Sequence, residues 1–362
     1  MAVLTEEQSM LRDAAKSWVQ EKSPVTAFRK MRDSGVELGY DAAAWNEMAE
    51  MGWAGVIIPE EFGGSAFGYL SMGLILEETG RTLTASPLLA SALGAASALM
   101  LGGSDAQKGE WLPKIAAGEI VATLAVDEGA HHKPEAVAAE VRDGKLTGKK
   151  VFVLEGMAAD LFVVSAKGAD GIGLYLVKAS DPGVVRTRLA LADSRGAANV
   201  EFKGAAAEPL AGGFATVEKT LDRARAGVAA EMLGAATQAF ETTLDYLKTR
   251  VQFGQVIGSF QALQHRAAKM FTELELSRSA VEAALTAIDN DSPDVPELVS
   301  LAKAKMGDTF HLVSNEMVQM HGGIGMTDAH DAGFYLKRAR ACEAAFGNQA
   351  YHRDRYAKIQ GF

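Results

Sequence analysis

The spacing of hydrophobic residues changes twice along this chain of 362 residues, and this limits the folds that it can adopt. Apolar residues recur at helical spacing up to about residue 120 and again from about Phe214 to the end. Between these stretches, short runs rich in Val, Phe, Leu and Tyr are separated by Gly, Asp and Asn, which is typical of strands. We therefore predict an α+β protein with an N-terminal helical domain (1–120), a middle β domain (121–213) and a C-terminal helical domain (214–362).

Local signals refine this division. Thr5 and Gln8 have the spacing of a capping box, which predicts a helix that begins there. Asp143-Gly144 is typical of a tight hairpin in the β domain. Small residues such as Ala229 and Gly234 allow close approach of helices, and the C-terminal domain is therefore predicted to be a bundle of about four long helices. The strands are predicted at 149–154, 161–166, 173–177 and 198–202.

Charge and cysteine content exclude several classes of function. The formal net charge is -10, with acidic and basic residues interspersed, so nucleic acid is a poor partner. The single Cys342 cannot form an intrachain disulfide, and no Cys/His cluster has zinc-site spacing. Adjacent His131 and His132 seldom share an ion, so no metal site is predicted. The N-terminus lacks the pattern of a secretion signal, and no uninterrupted apolar run of about 18 residues predicts a membrane span. We expect a cytoplasmic protein.

Four short motifs carry more specific information. Arg250 followed by Phe253 offers a charge for a pyrophosphate and an apolar face for a flat ring. Gln319 with the glycines of His321–Thr327 offers an amide and exposed backbone N–H groups for a phosphate. A surface Arg above a core Phe, or an ordinary turn between helices, would explain each motif equally well in isolation. Together with Ile58–Gly64 and Ile257–Gln261, in this order and at these separations, they resemble the acyl-CoA dehydrogenase family over essentially the whole chain.

The resemblance implies a fold and a cofactor. The family's fold has an N-terminal helical domain, a middle β-barrel or sandwich and a C-terminal four-helix bundle. The family binds FAD, and Arg250 with Phe253 would reach across a dimer interface to the diphosphate and adenine side of a neighbouring subunit's flavin. The cofactor-binding residues that the resemblance implies in this chain are Arg250, Phe253, Phe260, Gln261, Gln319, Gly322, Gly323 and Asn348.

The middle domain departs from the family pattern. Ala125–His132 replaces a Thr-Glu-Pro-Gly stretch that usually holds the flavin ring and phosphates. Phe152 matches the usual aromatic contact, but Leu154 stands where a Thr hydroxyl usually lies near flavin N5. The ring site of this subunit is therefore predicted to be weakened, while the contacts that it would lend to a partner are retained.

The family's catalytic base is also missing. Removing the proton alpha to a thioester carbonyl requires a carboxylate, and the family's two positions for it correspond to Phe346 and Ala224 here. Two acids remain nearby: Glu343 lies about one helical turn before Phe346, and Glu231 lies near two turns beyond Ala224. Glu231 is either a relocated base with a raised pKa or the partner of an arginine such as Arg225 or Arg338.

Three hypotheses follow from this pattern. In the first, the chain is a subunit of an FAD-dependent acyl-CoA dehydrogenase that works with a base-bearing partner chain. In the second, it is an autonomous homomeric dehydrogenase with Glu231 as base. In the third, it is a non-catalytic scaffold subunit without flavin, and a flavin-dependent hydroxylase on the same fold is a further alternative. The resemblance implies an acyl-CoA substrate, an electron-transfer flavoprotein as acceptor and a homo- or heterotetramer built as a dimer of dimers.

Overall fold

The computed structural model describes residues 4–362. Its contacts group these residues into two compact units. The first combines the described residues up to Phe28 with Gly73–Thr84 and Val228–Phe362, and the second combines Arg29–Met72 with Ala85–Gly227. Because each unit joins segments that are distant in sequence, the division into three consecutive domains remains a prediction.

The N-terminal stretch is helical, as predicted. The hydroxyl of Thr5 accepts from the backbone N–H of Gln8, whose side chain accepts from the N–H of Thr5, so the capping box is confirmed. Ala15, Trp18 and Val19 form the buried face of this first helix. The helices of the stretch are α1 (Glu6–Lys22), α2 (Val25–Ser34), α3 (Ala42–Glu50), α4 (Gly68–Arg81), α5 (Ala96–Gly102) and α6 (Asp105–Ala116).

A buried π-helix, Leu88–Ala95, precedes α5. It lies in an apolar segment rich in Ala and Gly, and every residue of the π-helix is buried. The wider turn was not predicted, because its i to i+5 hydrogen bonds leave no distinct spacing in so short an apolar run. In the same unit, the backbone N–H of Ala122 donates to the hydroxyl of Ser91 on the π-helix at 3.0 Å.

The predicted β-barrel or sandwich is present as one mixed sheet in the second unit. Its strands are β1 (Ala122–Ala125), β2 (Glu140–Arg142), β3 (Lys145–Leu154), β4 (Leu161–Gly168), β5 (Gly171–Lys178), β6 (Val184–Ala190), β7 (Gly196–Ala206) and β8 (Glu208–Pro209). The strand order is β6-β7-β3-β2-β4-β5-β8, and β1 pairs with β4. Strands β1 and β2 run parallel to β4, and the other pairs are antiparallel.

The four predicted strands are confirmed within β3, β4, β5 and β7, whereas β1, β2, β6 and β8 were not predicted. Strands β1, β2 and β8 are short, and β6 is mostly exposed, with three consecutive polar residues in its middle, so their patterns are weak. Asp143 and Gly144 join β2 to β3 with φ angles of 49° and 70°, as a tight hairpin turn requires. Phe162 and Phe202 meet edge to face at 5.9 Å in the core of the sheet.

The C-terminal stretch contains three long and two shorter helices instead of the predicted four long ones. They are α7 (Gly213–Thr249), α8 (Gln261–Asp289), α9 (Val295–His321), α10 (Ala332–Ala344) and α11 (Gln349–Ile359). Positive φ angles at Gly322, Phe346 and Gly347 interrupt the helical backbone and separate α9, α10 and α11. A hairpin of β9 (Val251–Gln252) and β10 (Gln255–Val256) separates α7 from α8.

Close helix packing in the first unit explains one of the small residues. A side chain at Gly234 of α7 would place its Cβ 1.7 Å from the carbonyl oxygen of Glu77 in α4. Only glycine permits this approach, and its predicted role in helix packing is therefore confirmed. Across residues 4–362, no helix combines the length and apolar character that a membrane crossing requires.

Candidate functional site

The glycine-rich turn after α9 presents open backbone. Gly322 has φ 62° and ψ -139°, which only glycine adopts readily, and Cβ atoms built at Gly322 and Gly323 meet nothing within 4 Å. Both glycines are exposed, and so is Gln319 one turn earlier in α9. A ligand can therefore approach the backbone here without displacing protein atoms.

The end of α7 and the β9–β10 hairpin present the predicted charge and ring. Arg250 is exposed, and its backbone oxygen accepts from Ile257 at 2.8 Å. Phe253 lies at the tip of the hairpin with φ 54° and is 90% exposed. Its ring meets Phe260 edge to face at 6.1 Å, and Gln261 begins α8 directly after Phe260. A large aromatic ring so exposed at a strained backbone position suits contact with a ligand or another chain.

Tyr246 brings these two segments together. Its ring lies 4.4 Å from that of His321, centroid to centroid, and its hydroxyl is 3.5 Å from the carbonyl oxygen of His321. Tyr246 stands one turn before Arg250, and His321 directly precedes the glycine turn, so the predicted phosphate and ring contacts share one region of the first unit. We call Arg250, Phe253, Gln319, Gly322 and Gly323 the lending face.

Asn348 has a different local role. Its side-chain oxygen accepts from the backbone N–H of Tyr351 at 2.9 Å and caps α11. This bond accounts for an asparagine at that position without a ligand. Its contact with a cofactor remains a prediction, as do those of the other predicted site residues.

The lending face fits the diphosphate and adenine side of FAD. An exposed guanidinium and open glycine N–H groups are suitable donors to phosphate oxygens. The exposed ring of Phe253 offers a flat apolar surface to an aromatic base. The donor set contains no carboxylate that would repel a diphosphate.

The loop of the middle domain is instead held by hydrogen bonds and ion pairs within its unit. Nδ1 of His132 lies 2.7 Å from the carboxylate of Asp127, and Nε2 lies 3.0 Å from the guanidinium of Arg225. Because a guanidinium can only donate, Nε2 accepts and the proton sits on Nδ1, which donates to Asp127. Arg225 is fully buried and also donates to Asp222 at 2.9 Å. The lone pair of Nε2 is therefore engaged and does not serve as a base.

A second ion pair anchors the same loop to the sheet. The ammonium of Lys150, fully buried in β3, donates to Glu128 at 2.7 Å, to the carbonyl oxygen of Val126 at 3.0 Å and to the hydroxyl of Ser165 at 3.0 Å. Burial lowers the pKa of Lys150, and Glu128 acts in the opposite direction. Glu128 further accepts from the backbone N–H groups of Ala138 and Ala139. The loop thus presents paired carboxylates in place of free hydroxyl donors.

Strand β3 carries the predicted flavin-ring contacts. It has the aromatic residue Phe152, but Leu154 provides no side-chain hydroxyl. A register shift in β3 between Lys150 and Val153 leaves Phe152 at φ 54° and 51% exposed. Leu154 is partly buried, and its carbonyl oxygen accepts from the hydroxyl of Thr123 at 2.7 Å. The ring-side residues therefore fit a flavin less well than the lending face does.

Glu128 should make stability depend on pH in the acid range. Burial would raise the pKa of Glu128, but Lys150 and the two backbone donors outweigh it and hold the pKa below its ordinary value of 4.5. The stability that this carboxylate provides is therefore present above about pH 4.5 and lost as pH falls through the folded-state pKa. We expect Glu128→Gln to lower the free energy of unfolding at pH 7 by about 2 kcal/mol, because it leaves Lys150 without its charge partner.

Urea unfolding between pH 3 and pH 7 measures this effect. The variant should also show a shallower loss of stability on acidification than the unmodified protein. Glu135→Gln, an exposed acid of the same loop, is the matched control and should change little. Equal pH dependence in all three proteins would contradict the assignment.

Neither of the two predicted base positions carries an acid. Phe346 has φ 54° and is half-buried, between α10 and α11, and its carbonyl oxygen accepts from Nε2 of His352 at 3.2 Å. The buried ammonium of Lys303 donates to the carbonyl oxygens of Cys342 at 2.8 Å and Gly347 at 3.0 Å, which fixes this turn. Ala224 is buried within α7.

The two remaining acids form ion pairs. The carboxylate of Glu231 accepts from Arg338 at 2.8 Å, and both side chains are buried in the first unit. Glu343 pairs with Arg340 at 2.7 Å. The structure thus shows the alternative in which Glu231 forms an ion pair with an arginine. The partner is Arg338 and not Arg225.

Sequence reasoning missed the ion pairs of the middle-domain loop. His132 was considered only as a metal ligand, and Arg225 only as a partner of Glu231. No local sequence pattern could have identified the contact between His132 and Arg225, because 93 residues separate them. Among residues 4–362, no cluster of three or more His, Cys, Asp or Glu side chains is arranged to hold a metal ion.

Comparison with known proteins gives a consistent result along the chain. Residues 5–119 match the family model described as acyl-CoA dehydrogenase, N-terminal domain, and residues 211–360 match the model described as acyl-CoA dehydrogenase, C-terminal domain. Acyl-CoA dehydrogenase IpdE2 of Mycolicibacterium smegmatis is 30% identical, over 95% of this chain and 96% of its own length.

Solved structures agree over the full length. The ChsE4-ChsE5 complex from Mycobacterium tuberculosis contains a chain with a TM-score of 0.93 and 27% identity, with complete coverage of both chains. The Tcur3481-Tcur3483 steroid ACAD has a TM-score of 0.91 and 30% identity, covering 98% of each chain.

Proposed function

Because the chain belongs to the acyl-CoA dehydrogenase family, we propose that it is the subunit of an FAD-dependent dehydrogenase that lacks its own catalytic base and works with a base-bearing partner chain. The reaction is the alpha,beta-desaturation of an acyl-CoA thioester. One observation carries the proposal: both predicted base positions hold apolar residues, Phe346 and Ala224, and Glu231, the candidate for a relocated base, is ion-paired with buried Arg338.

In this proposal the chain binds part of FAD but does not supply the catalytic base. Arg250, Gly322 and Gly323 would hold the diphosphate of FAD, and Phe253 would cover its adenine side. Bound FAD would supply the acceptor for the hydride of the substrate's beta carbon. The abstraction of the alpha proton is assigned to a carboxylate of the partner chain, because no uncommitted acid occupies either base position here.

The class of substrate follows from the relatives. The matched structures include a steroid ACAD and a complex of two different chains, which supports a bulky acyl-CoA such as a steroid side chain and a heterotetramer built as a dimer of dimers. An electron-transfer flavoprotein is the acceptor that the family implies. A cytoplasmic location also remains a prediction.

The amount of flavin per chain tests the proposal. We expect the chain purified alone to hold well below one FAD per chain, and the chain co-expressed with a base-bearing family member to form a heteromer with tightly held flavin. Absorbance near 450 nm together with the protein mass from light scattering gives both quantities. A homotetramer that carries one FAD per chain and rapidly desaturates acyl-CoA would overturn the proposal.

A further inference from the structure

Buried His321 lies directly before the glycine turn of the lending face. Its side chain is the last of α9 and is only 3% exposed. Nδ1 lies 2.7 Å from the carbonyl oxygen of Met317, so this nitrogen carries the proton and donates. Nε2 is buried and has no hydrogen-bond partner among residues 4–362.

This arrangement is costly for a purely structural residue. A buried nitrogen without a partner loses its bond to water and gains nothing in return. An apolar side chain of similar size would fill the same space without that loss. A histidine here therefore calls for an explanation beyond packing.

Two aromatic rings flank the imidazole. Tyr246, near the end of α7, lies 4.4 Å away at an interplanar angle of 30°, and His330 lies 4.3 Å away at 43°. His330 is itself fixed, because its Nδ1 accepts from the backbone N–H of Ala332 at the start of α10 at 3.1 Å. We call Tyr246, His321 and His330 the ring stack.

The ring stack connects the three elements that carry the lending face or adjoin it. Tyr246 is followed one turn later by Arg250, whose backbone N–H donates to the carbonyl oxygen of Tyr246 at 2.9 Å. His321 leads into Gly322 and Gly323. His330 closes the turn before α10. The imidazole of His321 is thus in contact with the helix end that carries Arg250 and is joined directly to the glycine turn.

The charge state of His321 is compatible with such contacts. Burial lowers the pKa of His321 below its ordinary value, against the opposing effect of the bond to Met317, and nearby His330 adds to the lowering. The ring of His321 is therefore mostly neutral near pH 7, so it can stack on His330 without adding a buried positive charge.

We infer that His321 is a positioning residue that, through the ring stack, holds the glycine turn and Arg250 in the geometry required to bind the diphosphate of FAD. This inference rests on the proposed function of the lending face. It assigns to His321 no contact with the substrate and no proton transfer.

The test compares three substitutions in the protein purified in its native assembly, stripped of flavin and titrated with FAD. His321→Ala removes both the ring and the bond to Met317. His321→Phe retains a ring for the stack, and His321→Asn retains a donor for Met317 without a ring. Arg250→Ala, which removes the proposed phosphate contact itself, is the reference for the lending face.

We expect His321→Ala to weaken FAD binding about tenfold or more, since small displacements of preorganised groups are expensive, and His321→Phe to restore most of the affinity. His321→Asn should resemble His321→Ala. Titration at 10 °C, with circular dichroism as a check that each variant is folded, separates this effect from loss of stability.

Three outcomes would overturn the inference, and they show whether the proposed role of the lending face fails with it. If Arg250→Ala weakens FAD binding but His321→Ala does not, or if His321→Asn rescues and His321→Phe fails, the ring stack does not position the lending face. If neither Arg250→Ala nor His321→Ala changes FAD binding, the proposed role of the lending face fails as well.

Discussion

Arg338→Met should lower the free energy of unfolding by about 3–5 kcal/mol, because it leaves a buried carboxylate without its cation. Arg338 is 1% exposed and Glu231 is 3% exposed, so water cannot replace the lost partner. The guanidinium also lies 5.6 Å from the ring of Phe28, a contact that the methionine would replace only in part. Urea unfolding at pH 7, followed by circular dichroism, measures the change.

Two further variants show whether the loss comes from the unpaired charge. The double variant Glu231→Met with Arg338→Met should recover most of the stability, since a well-packed apolar pair often replaces a buried ion pair without loss. Arg340→Met removes the partner of Glu343 in a more exposed pair and should cost about 1 kcal/mol or less. A change of less than about 1 kcal/mol in Arg338→Met would show that Glu231 does not need Arg338.

The result also bears on the identity of the base. A carboxylate that depends on a buried arginine is held in its charged form, and the ion pair ties its oxygens to that partner. A relocated base needs a raised pKa and access to the substrate. A large loss of stability in Arg338→Met would therefore favour a structural role for Glu231 over the autonomous dehydrogenase.

The largest expected effect concerns the rate at which acyl-CoA bleaches the flavin. In the heteromer, replacing the partner chain's catalytic Glu by Gln should slow bleaching by about 10²–10⁴-fold, the usual contribution of a positioned general base. Glu231→Gln in this chain should leave the rate within about twofold, since the proposal gives it no proton to accept. Stopped-flow absorbance near 450 nm measures both rates.

Controls separate chemistry from assembly. Glu343→Gln removes the other remaining acid, which is ion-paired with Arg340, and should leave the rate unchanged. Flavin content and subunit mass must be equal in all variants, so that a slower rate reflects proton abstraction alone. If Glu231→Gln stops bleaching while flavin stays bound, the autonomous dehydrogenase is correct and the two-chain proposal is wrong.

The prediction from sequence succeeded where a signal is local or repeats. The capping box at Thr5, the Asp143-Gly144 turn and four strands rich in β-branched and aromatic residues were predicted, because each depends on neighbours within a few positions. The C-terminal helical domain, predicted as about four long helices, is present as three long and two shorter ones, and positive φ angles at Phe346 and Gly347 separate the last two. The π-helix left no local signal.

At the candidate site, the same distinction holds. The four motifs indicated the family and the lending-face residues, and the missing acids at Phe346 and Ala224 were visible by counting. The sequence alone left open whether Glu231 pairs with Arg225 or Arg338. In the structure Glu231 pairs with Arg338, 107 residues away, while Arg225 pairs with Asp222 and His132.

The sequence by itself determined the family, the order of helical and strand segments and the apolar character of Phe346 and Ala224, the two predicted base positions, because these properties depend on residue type and spacing. Only the tertiary structure decided which charges meet. It paired Glu231 with Arg338, closed the middle-domain loop through His132 and Lys150, and stacked His321 between Tyr246 and His330. Such contacts join residues distant in the chain, and their energies depend on burial, which exists only once the chain has folded.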